Sequence, residues 1–172
     1  MHRQPAAGSW GSNVKNTAMT TWRRAGAAAL LAGSLTSGAI AQERGTREEA
    51  RAMVEAAVEH VRKVGPDAAF GDFSDRHNAA WHVKDLYVFA YTLDGVNVGH
   101  GANPKLIGKN LIDMKDPNGR LLIRDLRDTA LKGGGWVEYE WPHPQSRKVE
   151  AKVSYVRKTL NYDGFVGVGA YR

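Results

Sequence analysis

Leu86-Tyr-Val-Phe-Ala-Tyr-Thr-Leu-Asp-Gly95 decides the fold of this chain. Aromatic, β-branched and aliphatic residues run without a charge up to an Asp-Gly pair. That pattern reads as a strand over 86–93 closed by a tight hairpin turn into a second strand, Val96 to His100. Downstream, Asn103-Pro104 to Asn110 reads as a loop or single helical turn, and Asp116-Pro-Asn-Gly119 as a turn. The segment 120–132 is helical, with Leu122, Ile123, Leu126, Ala130 and Leu131 inward, and Gly133-Gly-Gly135 releases the chain. Three strands follow near 136–141, 148–158 and 164–171, separated by a Pro142/Pro144 turn and by Asn161-Tyr-Asp-Gly164.

Upstream, Thr46-Arg-Glu-Glu49 fits a capping box, in which a hydroxyl and a carboxylate satisfy the free amides of a helix start. Ala50, Met53, Val54, Ala57, Val58 and Val61 then form one apolar stripe, and Gly65-Pro66 stops the helix, predicted over 47–64. A stripe this long must pack on the sheet or on a partner helix. Pro66 can open a short second helix over 66–73, and Trp81 reads as a buried anchor in the less patterned 74–85. Helix, hairpin, helix and three antiparallel strands amount to an α+β domain with a five-stranded sheet.

Processing reshapes the charge argument. Met19-Thr-Thr-Trp-Arg-Arg24, an uncharged run Ala25–Leu35 and Ala39-Ile40-Ala41 together read as a signal peptide over 19–41, cut before Gln42. The run holds 11 residues, short of the roughly 20 a spanning helix needs. A retained N-terminal anchor is the other reading. Residues 1–18 read as a non-native or mis-started leader, which leaves 42–172 as the domain. The whole chain carries +6, yet residues 1–41 hold Arg3, Lys15, Arg23 and Arg24 and no acid. Residues 42–172 therefore keep 20 basic against 18 acidic side chains, a net of +2, which gives no support to a nucleic-acid partner. With no cysteine there is no disulfide, thiolate metal site, c-type haem attachment or Cys nucleophile.

Strand alternation sorts the candidate site residues. Lys152, Ser154 and Val156 share one face of their strand, Val137, Tyr139 and Trp141 one face of theirs, and Tyr87, Phe89 and Tyr91 a third. Rings and a lysine at strand spacing are how a small sheet builds a pocket for an organic anion. Alternation alone serves equally for a solvated or edge lysine among ordinary core aromatics. Of the five histidines beyond residue 41, only His77 and His82 are close, without metal-ligand spacing. His100, ending the hairpin, is the best placed to donate to a carboxylate, with a solvated loop histidine as the other reading. Ser154 has no Gly-x-Ser-x-Gly elbow. Asp113, Asp116 and Asn118 lack the spacing of a calcium loop. Gly167 and Gly169 read as small residues under a neighbouring helix. No catalytic constellation competes, so an enzyme is not expected, nor a cofactor.

Tyr87-Val-Phe-Ala-Tyr91 with Asp94-Gly95, Asn103-Pro-Lys-Leu-Ile-Gly-Lys109, Asp116-Pro-Asn-Gly119, Gly135-Trp-Val-Glu-Tyr-Glu-Trp-Pro142, Lys152-Val-Ser-Tyr-Val156 and Gly167-Val-Gly-Ala-Tyr171, in that order, resemble a single Cache domain of the second type. The resemblance covers nearly all of 42–172. It implies a PAS-like extracytoplasmic sensor module that recognises a small organic acid such as a short-chain carboxylate. It also implies a periplasmic location and a membrane sensor kinase or chemoreceptor as partner. On this reading Lys152 neutralises the carboxylate, Tyr139 and His100 donate hydrogen bonds, Phe89 and Trp141 enclose the apolar end, and Tyr87 is a further ligand-binding candidate. The chain ends at its last strand without a second span or signalling domain, which suggests a freestanding binding protein. The alternative is an interaction module that homodimerises through the 47–64 helix and binds no small molecule.

Overall fold

Helix α1 (Arg47–Val64) starts where its capping box places it: Glu49 N donates to the Thr46 hydroxyl at 3.1 Å, and Thr46 N to the Glu49 carboxylate at 2.8 Å. In this computed structural model residues 43–172 are described; the expected leader and signal peptide lie outside them. Gly65, at φ +87°, ends α1, and Pro66 opens α2 (Pro66–Ser74) directly behind it.

Six strands follow, one more than the sequence suggested. β1 (His82–Val83) is the addition, β2 is Leu86–Thr92 and β3 is Asn97–His100. A 3₁₀ turn at Pro104–Leu106 and α3 (Leu122–Leu131) lead into β4 (Gly135–Pro142), β5 (Val149–Lys158) and β6 (Gly164–Tyr171). β1 pairs with Leu86 and Tyr87 through a two-residue turn, Lys84-Asp85. Lys84 takes φ +60° there, a conformation usually left to glycine, so the turn carried no recognisable signal. All pairings are antiparallel, in the spatial order β3-β2-β6-β5-β4, with β1 on the same strand β2.

The sheet has two differently built faces. On one, Val88, Ala90, Val166, Val168 and Ala170 meet Ala50, Val54, Ala57 and Val61 of α1. Phe70 and Phe73 of α2 complete that layer, with the Phe73 and Trp81 rings edge to face at 4.7 Å. The α1 stripe is thus consumed by the sheet. On the other face, Tyr87, Phe89, Tyr91, Tyr139 and Tyr171 lie under Leu122, Ile123, Leu126 and Ala130 of α3. The sequence put α3 from 120; it begins at Leu122, because Arg120 belongs to the preceding turn, its N–H and that of Asn118 both donating to the Asp116 carboxylate at 2.9 Å.

Candidate functional site

Register brings the site together. Tyr139 of β4 stands opposite Lys152 of β5, which stands opposite Tyr171 of β6; Phe89 of β2 stands between His100 of β3 and Gly167 of β6. All six residues expected to bind ligand, Tyr87, Phe89, His100, Tyr139, Trp141 and Lys152, line one cavity. Tyr91 and three α3 residues, Leu122, Ile123 and Leu126, complete it. Periodicity had turned those α3 residues inward, but nothing in it said that they would roof a cavity. The free space is about 10 Å³, room for about one water molecule.

Lys152 dominates the electrostatics. It is only 2% exposed, and its Nζ donates to the Tyr87 hydroxyl at 2.7 Å. Around the ammonium are the rings of Tyr87, Tyr171 and Phe89, with centroids at 4.0, 4.7 and 5.9 Å. No carboxylate among the described residues forms an ion pair with it. Burial therefore pulls its pKa down from 10.5 to about 7, opposed by the more distant charge of Asp85. Room for this posture comes from β6: a Cβ at Gly169 would overlap the Lys152 chain and the Ser154 hydroxyl, and one at Gly167 the Phe89 ring. These glycines thus lie beneath side chains of neighbouring strands, not beneath a helix as the sequence suggested.

A directed hydrogen-bond chain leads away from the lysine. Tyr171 Oη donates to the Pro142 carbonyl at 2.9 Å, and a carbonyl can only accept. Tyr171 must therefore accept from Tyr87, 3.3 Å away, and Tyr87 in turn accepts from Lys152. Tyr87 has no proton left for a ligand. Tyr139 and Ser154 share a hydroxyl contact of 2.7 Å in which either can donate. Burial raises both Tyr87 and Tyr139 well above the usual phenol value and takes Tyr91 to about 12, so all three stay protonated.

His100 is a buried group, 2% exposed, and not a loop histidine in water. Its Nδ1 accepts from Asn103 N at 3.0 Å and Ala102 N at 3.3 Å. The proton is thereby placed on Nε2, which has no partner among the described residues. Burial, helped by the charge of Lys152, lowers its pKa to about 3. The ring is a neutral donor at the cavity wall.

Behind Tyr171 stands a pair that no spacing announced. The His143 ring packs edge-on at 4.6 Å, and its Nε2 lies 3.5 Å from the buried Asp85 carboxylate, which also accepts from Gly45 N at 2.6 Å. No group of three or more His, Cys, Asp and Glu side chains among the described residues is placed to hold a metal ion.

A PAS-like sheet, with a long helix on one face and on the other a small, largely apolar cavity holding a lysine and a histidine, is the arrangement of a sensor domain. The chain belongs to the Cache family: the family model described as single Cache domain 2 matches residues 36–172. Over 88 residues it is 36% identical to the sensor histidine kinase MctS of Rhizobium johnstonii, covering 51% of this chain and 19% of that protein. It spans about a fifth of the length of the curated relatives it matches. The solved structure of a methyl-accepting chemotaxis protein from Vibrio parahaemolyticus superposes with a TM-score of 0.63 at 30% identity, over 72% of this chain and 86% of that one. A Cache chemosensory domain solved for its carboxylic acid recognition gives 0.61 at 24% identity, over 72% and 91%, and shows the fold. The chain is thus a Cache sensor domain homologous to domains of sensor kinases and chemoreceptors. Cache domains are extracytoplasmic, and no helix among the described residues is long and apolar enough to cross a membrane.

Proposed function

We propose that the cavity binds a small organic acid, a short-chain carboxylate, without transforming it, and that occupancy is passed to signalling machinery of the sensor-kinase or chemoreceptor kind. The observation that carries this reading is Lys152: a cation 2% exposed, held among aromatic rings with no carboxylate paired to it. A buried cation without an anion is costly to maintain, and a ligand carboxylate is the partner it lacks.

The roles follow from the free donors. Lys152 retains N–H groups beyond the one given to Tyr87, and His100 Nε2–H is unengaged. Of the Tyr139 and Ser154 hydroxyls one donates to the other, and the accepting hydroxyl keeps its own O–H for the ligand. Phe89 and Trp141, with the α3 roof, enclose the apolar end. Tyr87 orients Lys152 and does not hydrogen-bond the ligand. An acid needs more room than one water, and swinging the ammonium off Tyr87 towards the carboxylate vacates space as it makes the contact. Periplasmic export completes the proposal.

A thermal-shift screen against short carboxylates, amino acids, amines and purines tests it. A ligand at 100 times its dissociation constant adds about 2.7 kcal/mol to stability. A carboxylate that stabilises the protein but not Lys152→Ala supports the reading. A flat screen of protein freed of carried-over ligand overturns it in favour of the interaction module. With its apolar stripe spent on the sheet, α1 would then have to dimerise through its charged outer face.

A further inference from the structure

We infer that the cavity takes up a carboxylate and a proton as one unit, the proton going to Lys152 as the anion enters. This rests on the carboxylate reading above and adds a second ligand to the same site.

The inference starts from what surrounds the lysine on every side. β2 presents Tyr87, Phe89 and Tyr91, β4 Tyr139 and Trp141, and β6 Tyr171, while α3 contributes only aliphatic side chains. β3 contributes His100, whose Nδ1 faces two backbone N–H groups and so has no place for a second proton. Asp85 is the acid whose charge reaches Lys152; its Oδ1 accepts from Gly45 N, and its Oδ2, without a hydrogen-bond partner among the described residues, lies 3.5 Å from His143 Nε2. On the outer side, Lys152 and Tyr139 also border a cleft that holds Asp116, Glu138 and Glu140 with Arg120 and Arg172. Asp116 Oδ1 accepts from two N–H groups of its own turn while its buried Oδ2 has no hydrogen-bond partner among the described residues, and Glu138 is bridged by Arg47 and Arg172. None of these acids forms an ion pair with Lys152 among the described residues.

The empty cavity therefore offers an ammonium one phenol oxygen and three ring faces, too little to replace water. An incoming carboxylate offers a full charge in a medium where a single ion pair is strong. The lysine is the one group on the cavity wall whose protonation the anion can reverse, since the tyrosines stay protonated and His100 stays neutral in both states. The balance is simple: the Lys152 Nζ lone pair forms an N–H bond to a proton from solvent, giving R–NH₃⁺ against R′–COO⁻, with nothing oxidised and nothing released. Burial, which pulls the Lys152 pKa down to about 7, agrees with this. Above neutral pH each further unit removes about tenfold in affinity until the pKa of the complex is reached. Below it the affinity is flat for as long as the ligand stays ionised. The cavity thus responds to the acid, anion plus proton, more than to the anion.

Two measurements on the full chain decide the matter. In the first, with ¹³C-labelled lysine, the Lys152 Cε resonance is identified by its absence in Lys152→Met and followed from pH 5 to 11 in ligand-free protein. A midpoint within about one unit of 7 is expected, and one above about 9.5 overturns the inference whether or not any acid binds. In the second, propionate binding is followed by calorimetry at pH 8.5 in buffers of different ionisation heat. Close to one proton taken up per propionate is expected, falling towards zero at pH 5.5. Propionate bound at pH 8.5 without proton uptake overturns it. If neither propionate nor any other short carboxylate binds, the carboxylate reading fails and the coupling inference falls with it; the free-protein midpoint then reports only the state of the lysine.

Discussion

The two faces of this sheet share the same strands and differ in almost everything else. Towards α1 and α2, small and branched aliphatic side chains interlock with the rings of Phe70, Phe73, Trp81 and Tyr155, and no charged side chain belongs to that cluster. That face resembles the interior of any stable domain, in which each fully buried aliphatic residue contributes about 1.5–3 kcal/mol. Towards α3 the strands carry phenols, a neutral imidazole and a lysine around a small space, with Asp85 and His143 as a buried pair behind. This second face is less stable than it could be. A sheet can afford one such face because the other is filled. The lesson is that strength and sensitivity have been separated by strand alternation, residue by residue.

If that separation is real, mutations on the two sides must have opposite signatures. The largest effect belongs to the filled face: Phe73→Ala should cost about 3–5 kcal/mol of unfolding free energy in urea. Carboxylate affinity, measured where the variant is still folded, should be nearly unchanged. A matching loss of affinity would show that the faces are not independent. Next, Lys152→Ala should cost about 2–5 kcal/mol of carboxylate affinity by calorimetry. Unchanged affinity would remove Lys152 from the site. Lys152→Met should make the ligand-free protein more stable at neutral pH, by about 1–3 kcal/mol, because a methionine carries no buried charge.

The pH dependence sharpens the contrast further. The folded Lys152 has a pKa of about 7 against an ordinary lysine value of 10.5, so between those values the unfolded chain binds the extra proton. Stability from this residue therefore rises with pH across that window and is lost as pH falls towards 7. Wild type should gain about 1.4 kcal/mol per pH unit relative to Lys152→Met between pH 7.5 and 9.5. Parallel stability curves for the two proteins would contradict the buried, unpaired lysine. The smallest effect is at the entry to the filled face: Thr46→Ala, which removes the capping hydroxyl of α1, should cost about 1 kcal/mol and leave binding untouched.

Much of this was legible because the decisive signals are local. The charge-free strand from Leu86, the Asp94-Gly95 turn and the Thr46–Glu49 cap each rest on neighbours in sequence, and the elements formed within about two residues of the reading. Lys152 was placed on a face with Ser154, and Tyr139 with Trp141, by alternation alone, and the structure keeps both pairings around one cavity or its hydroxyl lining. What could not be read is whatever depends on distance across the fold. Periodicity turned Leu122, Ile123 and Leu126 inward without saying what they would meet. Asp85 and His143 are far apart in the chain and lack any spacing rule. β1 was missed because its turn uses Lys84 at positive φ, where a glycine or asparagine would have signalled it. The volume of the cavity was equally invisible, since a face is not a space.

Gly169 carries one more consequence, an evolutionary one. Its single hydrogen is what allows Lys152 to lie flat across the neighbouring strand, as Gly167 allows for Phe89. The two positions of each pair are therefore not free to drift separately. A larger residue at 169 would force the lysine to stand up into the cavity, and a descendant that lost the lysine would be released from the glycine. Among relatives of this chain, a lysine in this posture and a glycine beside it should be inherited and lost together.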